Sequence, residues 1–265
     1  MEWIVILLTG LLSGATPTGF IVESVVESNL RSRLAGVDTL AVRIDNTPSH
    51  QLLRGKVDRV RLASRGVYLT PDLRLDTLEL ETDPLNVDLQ QLRQGGSNWR
   101  DALRQPLQGA VRLVLTEADL KQALQSPALR DRLQSIVTNL ARNLPSTTPQ
   151  QYQLSDLNLE FLGDNRLRLQ LQARSFDTTG EDSAELTLDI TGQLIVEEGR
   201  RIQFSEATIL LNDNPLPPMF ANIALSTLNS RLDLDSLTQQ GITARLLQLD
   251  IDDERLSIAA FVRVE

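Results

Sequence analysis

The sequence predicts an α+β protein in which a strongly curved, mainly antiparallel sheet is wrapped around apolar-faced helices. Three observations carry this expectation. About ten segments alternate apolar and polar residues with a period of two, about three carry helical periodicity, and no repeated βαβ order joins them. One-face alternation gives a sheet a wet side and a dry side, and the dry side must be covered. The three apolar-faced helices are what the chain offers as cover.

Bulk composition narrows the function. A chain of 265 residues is long enough for one large domain or two modest ones. With 41% hydrophobic and 23% charged residues it has the make-up of a globular protein. A net charge of −9 and 4% aromatics are the wrong composition for nucleic acid, which calls for basic patches and stacking rings. No polybasic patch is evident for an anionic membrane. The absence of cysteine removes disulfides, thiol catalysis and cysteine metal sites.

No residue from Trp3 to Val22 is charged, and Trp3–Leu12 is densely apolar. Three readings stand for this segment, residues 1–16. It suits a secretory signal cleaved after Ala15, although basic residues before its apolar core are missing. It has the length of a membrane anchor, although Gly14, Pro17 and Gly19 break the pattern. It also suits a buried apolar segment. Residues 17–265 read as a single domain, with a candidate subdomain boundary in the loop Leu144–Gln150.

A first helix runs from Pro17 to about Ala35 with a stripe at Val22, Val25, Val26, Leu30 and Leu34. Glu27 and Arg31 form an i,i+4 pair on it, and Gly36 is its expected stop. Strands follow. Leu40, Val42 and Ile44 alternate with Arg43 and Asp45, and Val60 and Leu62 with Arg59 and Arg61. The apolar parity flips between Leu75 and Leu78, which predicts a bulge. Thr116 then caps a helix, with Asp119 three residues on as a capping-box variant. Leu120, Ala123 and Leu124 begin its stripe. Ser126–Pro127 interrupts it, and a second helix to about Asn143 carries Leu129, Leu133, Ile136, Val137, Leu140 and Leu144.

Beyond the 144–150 loop, Leu167, Leu169, Leu171 and Ala173 face in, and Arg166, Arg168, Gln170, Gln172 and Arg174 face out. Gly192 marks a bulge or kink and Glu198–Gly199 a turn. A third helix starts at Pro218 with Phe220, Ile223, Ala224 and Leu228 as its apolar face. A last hairpin turns around Asp252–Glu254.

Catalytic patterns are missing. His50 is the one histidine and sits in a turn. Gly95–Trp99 lacks the last glycine of a nucleophile elbow, and no phosphate loop or other cofactor motif occurs. Asp233 with Asp235, and Asp250 with Asp252, Asp253 and Glu254, could supply oxygen ligands to Ca²⁺. The EF-hand spacing and its glycine are absent, so charged turn residues account for them better. No metal is expected.

Two stretches carry a family resemblance. The run Ser49–Leu92, with its Leu-Leu-x-Gly-Lys turn and paired strands, and the run Gly109–Leu129, with its strand, Thr cap and Leu-Gln-Ser-Pro break, resemble the LmeA-like phospholipid-binding family of bacteria. The stretch Leu232–Ile242 fits as well, so the resemblance spans roughly Val22 to Val264. It implies a non-catalytic phospholipid-binding or lipid-carrying protein of the cell envelope, with a tubular-lipid-binding-like fold and an N-terminal signal or anchor. The alternative is a structural or assembly factor of the envelope whose apolar cup is packed core. Under the first reading the helical stripes line the lipid: Val22, Val25, Val26, Leu30, Leu120, Leu124, Leu129, Leu133, Ile136, Val137 and Leu140. The expected partner is a phospholipid or membrane surface, with no cofactor.

Overall fold

Alternation becomes pairing. The strands form two main sheets, mostly antiparallel and not closed, with few helices. The structure is a computed structural model and describes residues 23, 27–28, 30–32, 34–88, 90–91, 99–127, 129–131, 133–134, 138, 151–176 and 182–265. The apolar segment 1–16, Val22, Val25, Val26, Ile136, Val137, Leu140, the loop Leu144–Gln150 and Gly95–Asn98 lie outside the described residues. The chain divides into two units. Met1–Leu115, Leu234–Gln248 and Ser257–Glu265 form the first, and Thr116–Asp233 with Leu249–Leu256 the second.

In the first unit, β1 (Gly36–Asp45) pairs with β3 (Arg59–Thr70), β3 with β4 (Leu73–Thr82), and β4 with β6 (Leu107–Thr116), all antiparallel. The hairpin of β12 (Ile242–Ile251) and β13 (Arg255–Val264) completes the order β1-β3-β4-β6-β13-β12. The short β2 (Lys56–Val57) and β5 (Leu85–Asn86) pair separately. Leu40, Val42, Val60 and Leu62 are buried, as their alternation predicts. On the exposed side Arg43 stands directly opposite Arg61, which by itself repels. Asp45 and Glu81 neutralise the clash: Arg43 reaches Asp45 at 2.9 Å, and Arg61 reaches Asp45 at 3.2 Å and Glu81 at 3.5 Å. Such exposed pairs set register more than they add stability.

The bulge expected between Leu75 and Leu78 is absent. Pairing continues without slip from Leu62↔Leu80 through Ser64↔Leu78 and Arg65↔Thr77 to Val67↔Leu75. The sheet is instead covered on opposite faces at its two ends. Burial passes from Val60, Leu62 and Ser64 to Val67 along β3, and from Leu75 and Thr77 to Leu78 along β4. The change falls at Gly66, whose φ of 57° interrupts the extended run. A Cβ at that position would run into the Asp38 carboxylate.

The second unit begins at α1 (Glu117–Leu124). Its capping box is complete: the Asp119 N–H donates to Thr116 Oγ1 at 3.1 Å, and the Thr116 N–H donates back to Asp119 Oδ2 at 3.3 Å. The helix ends before Ser126, whose carbonyl accepts from the N–H groups of Leu129 at 3.1 Å and Arg130 at 2.9 Å. Pro127 thus opens a new helical segment, at the position where its missing N–H costs nothing.

Five strands follow: β7 (Gln151–Gly163), β8 (Arg166–Phe176), β9 (Asp182–Glu197), β10 (Arg201–Leu211) and β11 (Asn214–Pro215), in the order β11-β10-β9-β8-β7. The β7–β8 turn at Asp164 and Asn165 has φ of 49° and 60°, the positive pair that a tight two-residue hairpin requires. After β11 comes α2 (Pro218–Arg231), which starts at Pro218 as predicted.

Helix side chains bond the outer edge of β7. Gln134 Nε2 donates to the Tyr152 carbonyl at 2.5 Å, while Gln134 Oε1 accepts from the Leu154 N–H at 2.7 Å. Arg130 donates to the Ser155 carbonyl at 3.4 Å. The Glu117 carboxylate accepts from the Phe161 N–H at 2.7 Å and from Lys121 Nζ at 2.6 Å. Burial pushes this carboxyl up, but Lys121 and the Phe161 N–H together hold it below its ordinary range.

Thr116→Ala removes the side-chain half of the capping box and strips a hydroxyl from the buried Asp119 carboxylate. The expected loss is about 1–2 kcal/mol, seen as a lower urea midpoint at unchanged m-value.

Candidate functional site

One face of the five-stranded sheet is aliphatic across four strands. Leu157, Leu171, Leu188 and Leu211 stand in one cross-strand row, and Leu159, Leu169, Ile190 and Ile209 in the next. Two bulges keep these rows in phase. In β7, Ser155 is the extra residue between Leu154↔Ala173 and Asp156↔Gln172, which moves the apolar parity from Leu154 to Leu157, Leu159 and Phe161. In β10, pairing jumps from Gln193↔Ser205 to Thr191↔Thr208, so Gly192 alone faces Glu206 and Ala207. That jump moves the parity from Ile202 and Phe204 to Ile209 and Leu211. Without it, one half of the strand would turn its leucine and isoleucine to the other face. The irregularity predicted at Gly192 therefore lies in its partner strand. Gly192 supplies the room, since a Cβ there would sit 3.0 Å from the Phe204 ring and 3.3 Å from Ala207.

Helices and a turn cover this face. Leu157, Leu171, Ile190, Ile209 and Ala224 form one buried cluster, with Leu124, Leu133, Leu216, Ala221, Leu225 and Leu228 packed against it. Leu159, Phe161, Leu167, Leu194 and Ile251 form a second, contacted by Leu120, Leu124, Leu249 and Leu256. Leu124 touches both, so α1 bridges them. The two clusters are almost wholly Leu, Ile and Ala with two phenylalanines.

Five of the residues singled out from sequence as lining fall within the described structure. Leu120, Leu124 and Leu133 join these clusters, and Leu129 is half-buried beside them in sequence. Leu30 is buried, at 3% exposure, in the first unit. On α2 the stripe is Ala221, Ala224, Leu225 and Leu228 rather than one including Ile223, which is 41% exposed. Sequence patterning also missed the inward residues of β7. The run Leu157-x-Leu159-x-Phe161 carried the signal, hidden by the parity change at Ser155.

The other face of the sheet is polar, and one carboxylate on it is buried. Asp189 is 7% exposed and accepts from Arg168 Nε at 2.8 Å, from a second Arg168 nitrogen, and from Gln170 Nε2 at 3.1 Å. The Arg168 guanidinium holds the Asp189 carboxyl below its ordinary range, against the upward push of burial. Such an arrangement orders neighbouring strands and offers no open position to a substrate.

Asp250, Asp252 and Asp253 line an open groove of about 630 Å³ with Leu162–Asn165, Gln193 and Ile251. Hydrogen bonds explain this groove. Asn165 Oδ1 accepts from the Ile251 N–H at 2.8 Å, and Asp252 Oδ1 accepts from the N–H groups of Glu254 at 2.8 Å and Arg255 at 2.7 Å. These bonds shape the β12–β13 turn and join it to the β7–β8 turn. Among the described residues no group of three or more histidines and carboxylates is placed to hold a metal. His50 is exposed, in the 3₁₀ turn Ser49–Arg54.

The described structure thus defines a mainly antiparallel α+β protein built on aliphatic surface. Its family follows from comparison. The sequence matches the profile of the LmeA-like phospholipid-binding family over residues 14–261, and the chain belongs to that family. No curated protein shows a significant match.

Asp189→Asn keeps the shape of the side chain and removes its charge. Because the folded carboxyl lies below its ordinary value of 3.8, the stabilisation is present above about pH 4 and lost as pH falls through the folded value. Thermal unfolding should show a lower Tm for Asp189→Asn at pH 7 and a gap that narrows as the pH falls below the ordinary carboxylate range.

Proposed function

We propose that this protein binds and carries phospholipid in the bacterial cell envelope and catalyses no reaction on it. The observation that carries this reading is membership of a phospholipid-binding family over nearly the whole chain. The aliphatic sheet face and its helical cover are the physical counterpart. Acyl chains gain about 0.8 kcal/mol for each CH₂ removed from water, and Leu, Ile and Ala surfaces take them without demanding a polar partner. The two bulges that hold the rows in phase also bend a sheet, which supports a sheet strongly curved around the helices that cover it.

In this reading Leu120, Leu124, Leu129 and Leu133 contact lipid, together with Ile136, Val137 and Leu140 further along the same helical pattern. Val22, Val25, Val26 and Leu30 do so on the first helix. The apolar segment 1–16 holds the protein at a membrane, as signal or anchor. Among the described residues no helix is long and apolar enough to cross a bilayer. The net charge of −9 argues against nucleic acid as a partner.

Protein purified without detergent, denatured and extracted, should release near-stoichiometric phospholipid by mass spectrometry. A stable and empty protein would sink the proposal. Leu133 packs on the larger apolar cluster, so Leu133→Asp places an unpaired charge there and should abolish folding or strip the lipid. Leu133→Met, which conserves volume, should keep both. A folded Leu133→Asp with full lipid content would take Leu133 out of the lining.

A further inference from the structure

We propose that the outward face of α2 is the surface by which this protein docks on a phospholipid bilayer. The inference rests on the lipid-binding reading above and adds the place at which the bilayer is met.

α2 is apolar on its inner side and uncharged on its outer side, where Met219 and Ile223 are exposed beside Asn222, Ser226 and Ser230. Its inner side, Ala221, Ala224, Leu225 and Leu228, packs on the sheet cluster. Its outer side carries Met219, 65% exposed, and Ile223, 41% exposed and one turn further on. A surface helix ordinarily opposes its apolar stripe with charge. Here no charged residue occurs from Asn214 to Ser230. The hydroxyls on the helix also bond back to its own carbonyls. Ser226 Oγ and Thr227 Oγ1 both donate to the Ile223 carbonyl, at 2.9 and 2.8 Å, and Ser230 Oγ donates to the Thr227 carbonyl at 2.8 Å. Back-bonded hydroxyls suit a helix that leaves water.

The size and chemistry of the face select the occupant. A stable contact with a second copy or another protein needs about 800 Å² on each side, with aromatic or arginine anchors. Two aliphatic side chains and a neutral helix supply neither. A bilayer demands no matching shape, takes single side chains by partition, and binds weakly enough to release a carrier. On a chain of net charge −9 an uncharged helix also adds no repulsion of its own from an anionic headgroup layer.

The chain has no cysteine, so Met219→Cys and Ile223→Cys each place a single environment-sensitive fluorophore on the full-length protein. Glu198→Cys, in the exposed β9–β10 turn, is the control. With phosphatidylcholine vesicles, emission from positions 219 and 223 should brighten and shift to the blue while that from 198 stays unchanged. Adding Ile223→Asp to the Met219→Cys protein should weaken vesicle partitioning roughly tenfold. Silent probes at both positions would overturn the proposal. So would an equal response at 198, a response to protein concentration alone, or emission already blue-shifted without vesicles and unchanged by them. Lipid released from the purified protein with silent probes defeats this surface alone. Responsive probes on a protein that releases none defeat the carrier reading and leave the docking face standing.

Discussion

A strand that slips by one residue turns its leucines to water, because successive side chains point to opposite faces. That constraint governs the second unit. Its aliphatic rows run across β7, β8, β9 and β10, and in two of these strands the sequence changes parity part-way. Ser155 and the Glu206–Ala207 pair absorb the change as bulges. Gly192 leaves the space that the second bulge fills. Every covering contact made by Leu124, Leu133 or α2 presupposes this phase.

The cover is held by a few directional bonds. Glu117 begins α1, accepts the Phe161 N–H of β7, and donates its own N–H to the Glu254 carbonyl at 3.0 Å. One residue therefore positions the helix against both a strand and the β12–β13 turn. α2 is attached differently, chiefly by apolar contact, with Asn229 Oδ1 accepting the Phe204 N–H at 3.0 Å. Of the carboxylates that sequence inspection offers as metal ligands, Asp233 pairs with Arg201 and Asp252 is spent on the β12–β13 turn.

Local chemistry was legible in the sequence where its signal lies within a few residues. The Thr116–Asp119 box, the restart at Ser126–Pro127, the Glu27–Arg31 pair and the inward set of β8 follow from spacing alone. A parity flip was ambiguous: between Leu75 and Leu78 it marks a change of covered face at Gly66, while at Ser155 and Glu206–Ala207 it marks a bulge. α2 concealed its inner stripe because apolar residues surround it, and periodicity cannot choose between Ile223 and Leu225. The Arg168–Asp189 pair joins residues of different strands, which no short window connects. Of the candidate lining, Leu120, Leu124 and Leu133 reach the clusters, and the stripe beyond them falls outside the described residues.

The ends of the five-stranded sheet carry one more consequence. At one edge stands β11, two residues long, whose Pro215 has no N–H to offer a neighbour. At the other, Gln134, Arg130 and Glu117 bond to backbone groups of Tyr152, Leu154, Ser155 and Phe161 on β7. A row of unpaired backbone groups would template a further strand from another molecule. This sheet is terminated by a proline on one side and by side chains imitating a strand on the other. An aliphatic face of this breadth can therefore be maintained without seeding aggregation through its edges.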